Sequence, residues 1–104
     1  MSLGFPAFSV RRVALSVKGL ELYAASESIL SELKWIVTEK NKQFIIAKVP
    51  PSFVSPLGEI ITIRFVSGKE LEIKSRCVFA QFLDWGKNEQ NIDAYLKKLY
   101  EMYL

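Results

Sequence analysis

Residues 59–74 read EIITIRFVSGKELEIK, and the fold turns on how this stretch pairs. Glu59-Ile60-Ile61-Thr62-Ile63-Arg64-Phe65-Val66 is rich in β-branched residues, the composition of a strand whose neighbours pack on it. Ser67-Gly68-Lys69 supplies turn residues, and Glu70-Leu71-Glu72-Ile73-Lys74 then alternates charged with apolar side chains. The two runs therefore predict an antiparallel hairpin whose second strand is wet on one face.

Upstream of the hairpin, residues 49–58 hold three of the four prolines, so this segment must be an extended, non-helical connection. Before it, Lys34 to Glu39 and Gln43 to Val49 are rich in strand-forming residues and are separated by Lys40-Asn41-Lys42, which predicts a second hairpin. Val13, Leu15 and Val17 alternate with polar or small residues as a first strand, closed by Gly19. Between them, Leu22, Ala25, Ile29 and Leu33 recur at helical spacing, predicting an amphipathic helix over 21–33. Ile92, Leu96, Leu99 and Tyr103 do the same near the end, predicting a helix over 91–104 with Asp93 paired to Lys97.

The order is β-α-β-β-β-β-α. Such an order predicts one α+β domain over residues 1–104: a two-layer structure with an antiparallel sheet of about five strands and both helices on one face. This order resembles the TBP-like fold, the half-saddle of the TATA-box-binding protein, and is similar to the short core of helix-grip proteins. The resemblance spans nearly the whole chain as element order; it implies a fold and no activity. No residue here matches the DNA-wedging positions of the TBP-like family.

The stretch FLDWGKNEQN, residues 82–91, concentrates distinctive residue types just before the second helix. Asn88 is placed as an N-cap, with Asn91 three residues on imitating the reciprocal partner of a capping box. Trp85 is expected to pack under the helix that follows, and Glu89 favours the positive end of its dipole. Trp85-Gly86-Lys87-Asn88-x-x-Asn91 is similar to the helix start of a small bacterial domain family that brings no activity with it.

Composition narrows the chemistry. The chain has 104 residues, 50% of them hydrophobic, enough for one compact core. It has no histidine, which removes Ser-His and Cys-His catalysis and imidazole metal sites together. The single cysteine, Cys77, cannot form an internal disulfide and points to a reducing, cytoplasmic setting. No run approaches the length of a membrane span, and the apolar stretch after Arg11-Arg12 is too short for a signal peptide. The isolated glycines form no phosphate loop. Glu70 and Glu72 share a strand face with Lys74 and Arg76, a solvated charge row rather than a catalytic pair. A non-catalytic protein with no metal and no cofactor is the expectation.

The net charge of +3 raises nucleic acid as a partner. Arg12, Lys18, Lys34, Arg64, Lys74 and Arg76 are candidates for one face of the sheet, but the sequence places Phe65 in the core and the other rings in helices or loops, leaving no stacking platform. A stronger anomaly lies in residues 44–49 and 60–66, where apolar side chains point to both faces. A face without helices needs another cover for Ile36, Ile45, Ala47, Val49, Ile60 and Val66: a second copy, a removed part of a longer chain, a small ligand, or the proline loop around Phe53 and Val54.

The leading expectation is an interaction module. It would use Ile36, Ile45, Val49, Ile60, Arg64 and Val66 to bind another protein or to form a homodimer. The alternatives are a nucleic-acid or anionic-surface binder, and a small apolar-ligand carrier of helix-grip type.

Overall fold

The structure is a computed structural model that describes residues 8–15, 19–51, 58–67, 69–77 and 86–103. Its elements are β1 (Phe8–Ala14), α1 (Gly19–Glu32), β2 (Ile36–Lys40), β3 (Phe44–Val49), β4 (Glu59–Ser67), β5 (Glu70–Cys77) and α2 (Lys87–Tyr103). The five strands form one antiparallel sheet in the order β1-β5-β4-β3-β2. The α+β class, the strand count and the element order are as the sequence predicts.

The 59–74 hairpin is the centre of the sheet. β4 and β5 pair from Glu59↔Cys77 to Ser67↔Glu70, with a bulge between Phe65 and Ser67. Their inward residues, Ile61, Ile63, Leu71 and Ile73, are fully buried. β1 adds to β5 on one side and β3 to β4 on the other, so the chain's first strand docks beside its fifth.

Both helices cover the same face. α1 presents Leu22, Ala25, Ser26, Ile29 and Leu30, the spacing of one helical stripe, and α2 presents Ile92, Tyr95, Leu96 and Leu99. Together with Val13, Ile45, Ala47, Val49 and the inward residues of β4 and β5, they make one hydrophobic cluster. Each large aliphatic side chain taken out of water contributes roughly 1.5–3 kcal/mol, so this cluster is the main source of stability. Tyr23 of α1 meets Phe65 of β4 with ring centroids 5.0 Å apart.

Several boundaries differ from the sequence reading, each for a local reason. Lys34 and Trp35 do not begin β2. They close α1 in a Schellman turn, in which Trp35 N donates to Leu30 O at 3.0 Å and Lys34 N to Ser31 O at 3.1 Å. Lys34 takes the left-handed conformation (φ 62°), and Trp35 is buried. β1 starts earlier than expected, at Phe8, and ends before Leu15, whose N donates to Lys69 O at 2.7 Å. The β2–β3 turn rests on Asn41, whose Oδ1 accepts from Gln43 N at 2.7 Å and Phe44 N at 3.0 Å.

α2 begins a turn earlier than its apolar stripe suggests. Gly86 O accepts the first helical bond, from Gln90 N at 2.9 Å, so Gly86 holds the position that the sequence assigned to Asn88. Asp93 does not pair with Lys97: it accepts from Arg11 Nη1 at 3.0 Å, while Arg11 Nη2 bonds Glu89, and these two contacts tie α2 to β1. Val17, Lys18, Phe53, Val54 and Trp85 lie outside the described residues.

Candidate functional site

The face of the sheet that the helices leave uncovered is the candidate site. Side chains paired across antiparallel strands point to the same side, so the register alone lays out its rows. The first row runs Phe8, Arg76, Ile60, Lys48, Ile36. The second runs Val10, Lys74, Thr62, Ile46, Glu39, and the third Arg12, Glu72, Arg64, Phe44. Five strands at about 4.8 Å spacing make each full row about 19 Å across.

Apolar side chains stand in water along these rows. Phe8 is 51% exposed, Val10 44% and Ile36 59%, while Ile60, Ile46 and Phe44 are half-buried among their neighbours. Val66, at the β4 bulge, is 38% exposed.

The expected face was partly misassigned. Ile45 and Val49, with Ala47 between them, are buried under the helices and belong to the core. Their strand's outward residues are Phe44, Ile46 and Lys48 instead. Both sets are apolar, and period-two alternation gives no sign of which set faces inward when both are. Ile36, Ile60 and Arg64 do lie on the uncovered side, and Val66 is an exposed residue of the β4 bulge.

Two rings were also missed. Phe8 and Phe44 stand on this face, contrary to the expectation that it carries no aromatic side chain. Of the six expected cations, Arg12, Arg64, Lys74 and Arg76 gather here and Lys48 joins them; Lys34 sits in the α1 cap. Glu72 holds two of the five, accepting from Arg12 Nε at 3.4 Å and Arg64 Nη2 at 3.3 Å. Lys74 Nζ lies 5.2 Å from the centroid of Phe8, a cation–π contact across the β1–β5 pair.

On the covered side, a second group of polar residues is sealed beneath the first two turns of α2. Ser9, Ser75, Glu59, Asn88 and Asn91 are all buried. Ser75 Oγ donates to Asn88 Oδ1 at 2.7 Å, and Asn91 Nδ2 donates to Glu59 Oε1 at 2.7 Å and to Ser75 Oγ at 3.3 Å. Asn88 Nδ2 reaches Cys77 Sγ at 3.6 Å. Among the described residues, Glu59 Oε2 has no hydrogen-bond partner.

Asn88 and Asn91 are thus not a capping box. They continue the sheet-facing stripe of α2 at positions 88, 91, 92, 95, 96 and 99, with amides in place of aliphatic chains. Carrying the helical period back through polar residues would have found them. Cys77 is a buried thiol at the edge of this group.

Elsewhere, a surface depression of ≈ 250 Å³ lies between the helix ends, lined by Glu32, Lys98, Glu101 and Met102. Among the described residues, no three acidic or thiol side chains gather as metal ligands, and no helix is long and apolar enough to cross a membrane. No family model, curated protein or solved structure matches the chain.

Proposed function

We propose that this protein is a non-catalytic binding module that docks a partner on the uncovered face of its sheet. The observation behind this reading is the row Phe8, Arg76, Ile60, Lys48, Ile36, which crosses all five strands and alternates apolar with cationic side chains, with Phe8 and Ile36 in solvent and Ile60 half-buried between them. An antiparallel sheet tolerates one wet face when that face is polar. Here Phe8, Val10, Ile36, Ile46 and Ile60 make it mixed, and exposed apolar side chains interspersed with charge suit a binding surface better than a plain solvated face.

The chemistry elsewhere supports binding over catalysis. The buried group at Glu59, Ser75, Asn88 and Asn91 is closed off beneath α2 and bonds mainly to itself. Of the acids on the uncovered face, Glu70 and Glu72 share β5 with Lys74 and Arg76, and Glu72 is held by two arginines. The TBP-like element order remains a resemblance that supplies no activity.

The test is surface-specific. The wild-type chain should bind an environment-sensitive apolar dye, and the double variant Ile36→Ser with Ile60→Ser should lose most of that binding while melting as a folded protein. A wild type that ignores the dye, or a double variant that binds it equally, sinks the reading. Sedimentation of the same samples distinguishes a face closed by self-association from one left open.

A further inference from the structure

We infer that the occupant of this face is an acidic amphipathic segment of another protein; this rests on the docking reading above and names its partner. The uncovered face divides into two unlike halves. The first two rows carry Arg76, Lys48 and Lys74 among Phe8, Val10, Ile60, Ile46 and Ile36, with Glu39 as their one acid. The third row keeps a net charge of +1, but both of its cations, Arg12 and Arg64, are paired with Glu72. Among the described residues, Lys48, Lys74 and Arg76 form no ion pair. Cations without an acidic partner among the described residues therefore stand where Phe8, Val10 and Ile36 are most exposed. An occupant must bury aliphatic groups and bring acids over these three cations at once.

A second copy of the chain meets that requirement poorly. A two-fold interface sets a patch against itself, and this one would bring Lys48, Lys74 and Arg76 toward their own counterparts with Glu39 the one acid in those rows. Single-stranded nucleic acid fits the cations but not the surface between them. Bases stack on rings, and most of the apolar residues in these rows are the β-branched Val10, Ile60, Ile46 and Ile36, which offer no π-face. Any uniformly anionic surface, nucleic acid or lipid, would also press phosphates against Glu39, Glu70 and Glu72, which share the face. A peptide segment can place acids over Lys48, Lys74 and Arg76 and neutral residues over the carboxyl groups. Patterned charge on an apolar stripe is what the face complements.

The experiment is selection of a displayed random-peptide library on the immobilised full chain, followed by solution binding of the enriched peptides. The expected result is enrichment of peptides with Asp or Glu beside apolar residues. Their affinity should fall with added salt and by roughly tenfold or more in the double variant Lys48→Glu with Arg76→Glu, both at exposed positions. Thermal melting of the variant checks that it folds. Peptides without an excess of acids, or equal binding to the charge-reversed variant, overturn the inference. So does binding of oligothymidylate or phosphatidylserine vesicles through Ile60 and Arg76 when no peptide is enriched, or a dimer that Ile60→Ser dissociates. In those last cases the docking reading stands and only the partner is wrong. If apolar dye, peptides, oligonucleotide, vesicles and a second copy all leave the face untouched, both readings fail.

Discussion

Asn91 Nδ2 donates to Glu59 Oε1 at 2.7 Å inside the protein, joining the second turn of α2 to the first residue of β4. Both side chains are buried, and the amide is the only hydrogen-bond donor to the Glu59 carboxyl group among the described residues. Removing it leaves a buried polar group wholly unpartnered, which costs more than a hydrogen bond gains. Asn91→Leu should therefore destabilise the protein by about 3 kcal/mol in urea unfolding. Replacing both partners removes the orphan, so Asn91→Leu combined with Glu59→Met should recover most of the loss. A single variant as stable as the wild type would show that this bond does not hold α2 in place.

Tyr95 and Ser26 link the two helices in the core. Ser26 Oγ donates to Leu22 O at 2.8 Å and so accepts from the Tyr95 hydroxyl. Burial pushes the Tyr95 pKa up to about 12, against which the Ser26 contact acts as a smaller lowering influence. The raised folded-state value means that ionisation favours the unfolded chain. The stabilisation is fully present below pH 10 and is lost as the pH rises to about 12. On the order of 3 kcal/mol is at stake over that window. Tyr95→Phe should be less stable than the wild type by about 1 kcal/mol near neutrality, and that deficit should vanish or reverse above pH 11. Parallel denaturation curves for the two proteins across the alkaline range would contradict this.

How much of this was legible beforehand follows from the type of signal each residue carries. Leu71 and Ile73 alternate with charged residues, so their strand could have only one inward face, and the hairpin from Glu59 to Lys74 was readable directly. Ile45, Ala47 and Val49 alternate with Phe44, Ile46 and Lys48, and both sets are largely apolar, so burial there was decided by the helices and not by the pattern. Asn88 and Asn91 were misread because polar residues ahead of an apolar run usually cap a helix, whereas here they meet buried polar partners on β4 and β5. Phe8 was missed because β1 begins in a stretch with no clean alternation.

Lys34 holds a left-handed conformation at φ 62° to close α1, a position where a side chain costs roughly 1–2 kcal/mol. Glycine adopts it without that penalty but loses more chain entropy on folding. Lys34→Gly should raise stability by about 0.5–1 kcal/mol in denaturant titration. A loss of stability would mean that the Lys34 side chain contributes a contact outweighing its backbone strain.

Gly58 presents the opposite case, since it sits at φ 80° and an added Cβ would lie 2.2 Å from Val49 O. That carbonyl belongs to the last residue of β3, which pairs with Glu59, so the backbone cannot retreat without opening the β3–β4 ladder. Gly58→Ala should cost at least about 2 kcal/mol, combining left-handed strain with the displaced strand end. The disturbance should extend to Glu59, the next residue, and so weaken amide protection in the first turns of α2. Protection factors unchanged there would separate the two features.

Glu72 offers a prediction that ties stability to binding. Its contacts with Arg12 and Arg64, at 3.4 Å and 3.3 Å, are long and reach guanidinium groups that are more than half exposed, and pairs of this kind contribute little. Glu72→Gln should leave unfolding within about 0.5 kcal/mol of the wild type. The same change releases two arginines on the uncovered face and raises the net charge of their row from +1 to +2, extending the positive field across the sheet. Acidic peptides selected on the wild-type chain should then bind the variant more tightly at low salt, with the gain shrinking as salt is raised. Tighter binding that is indifferent to salt would place the effect in packing instead of charge, and weaker binding would mean that Glu72 itself contacts the partner.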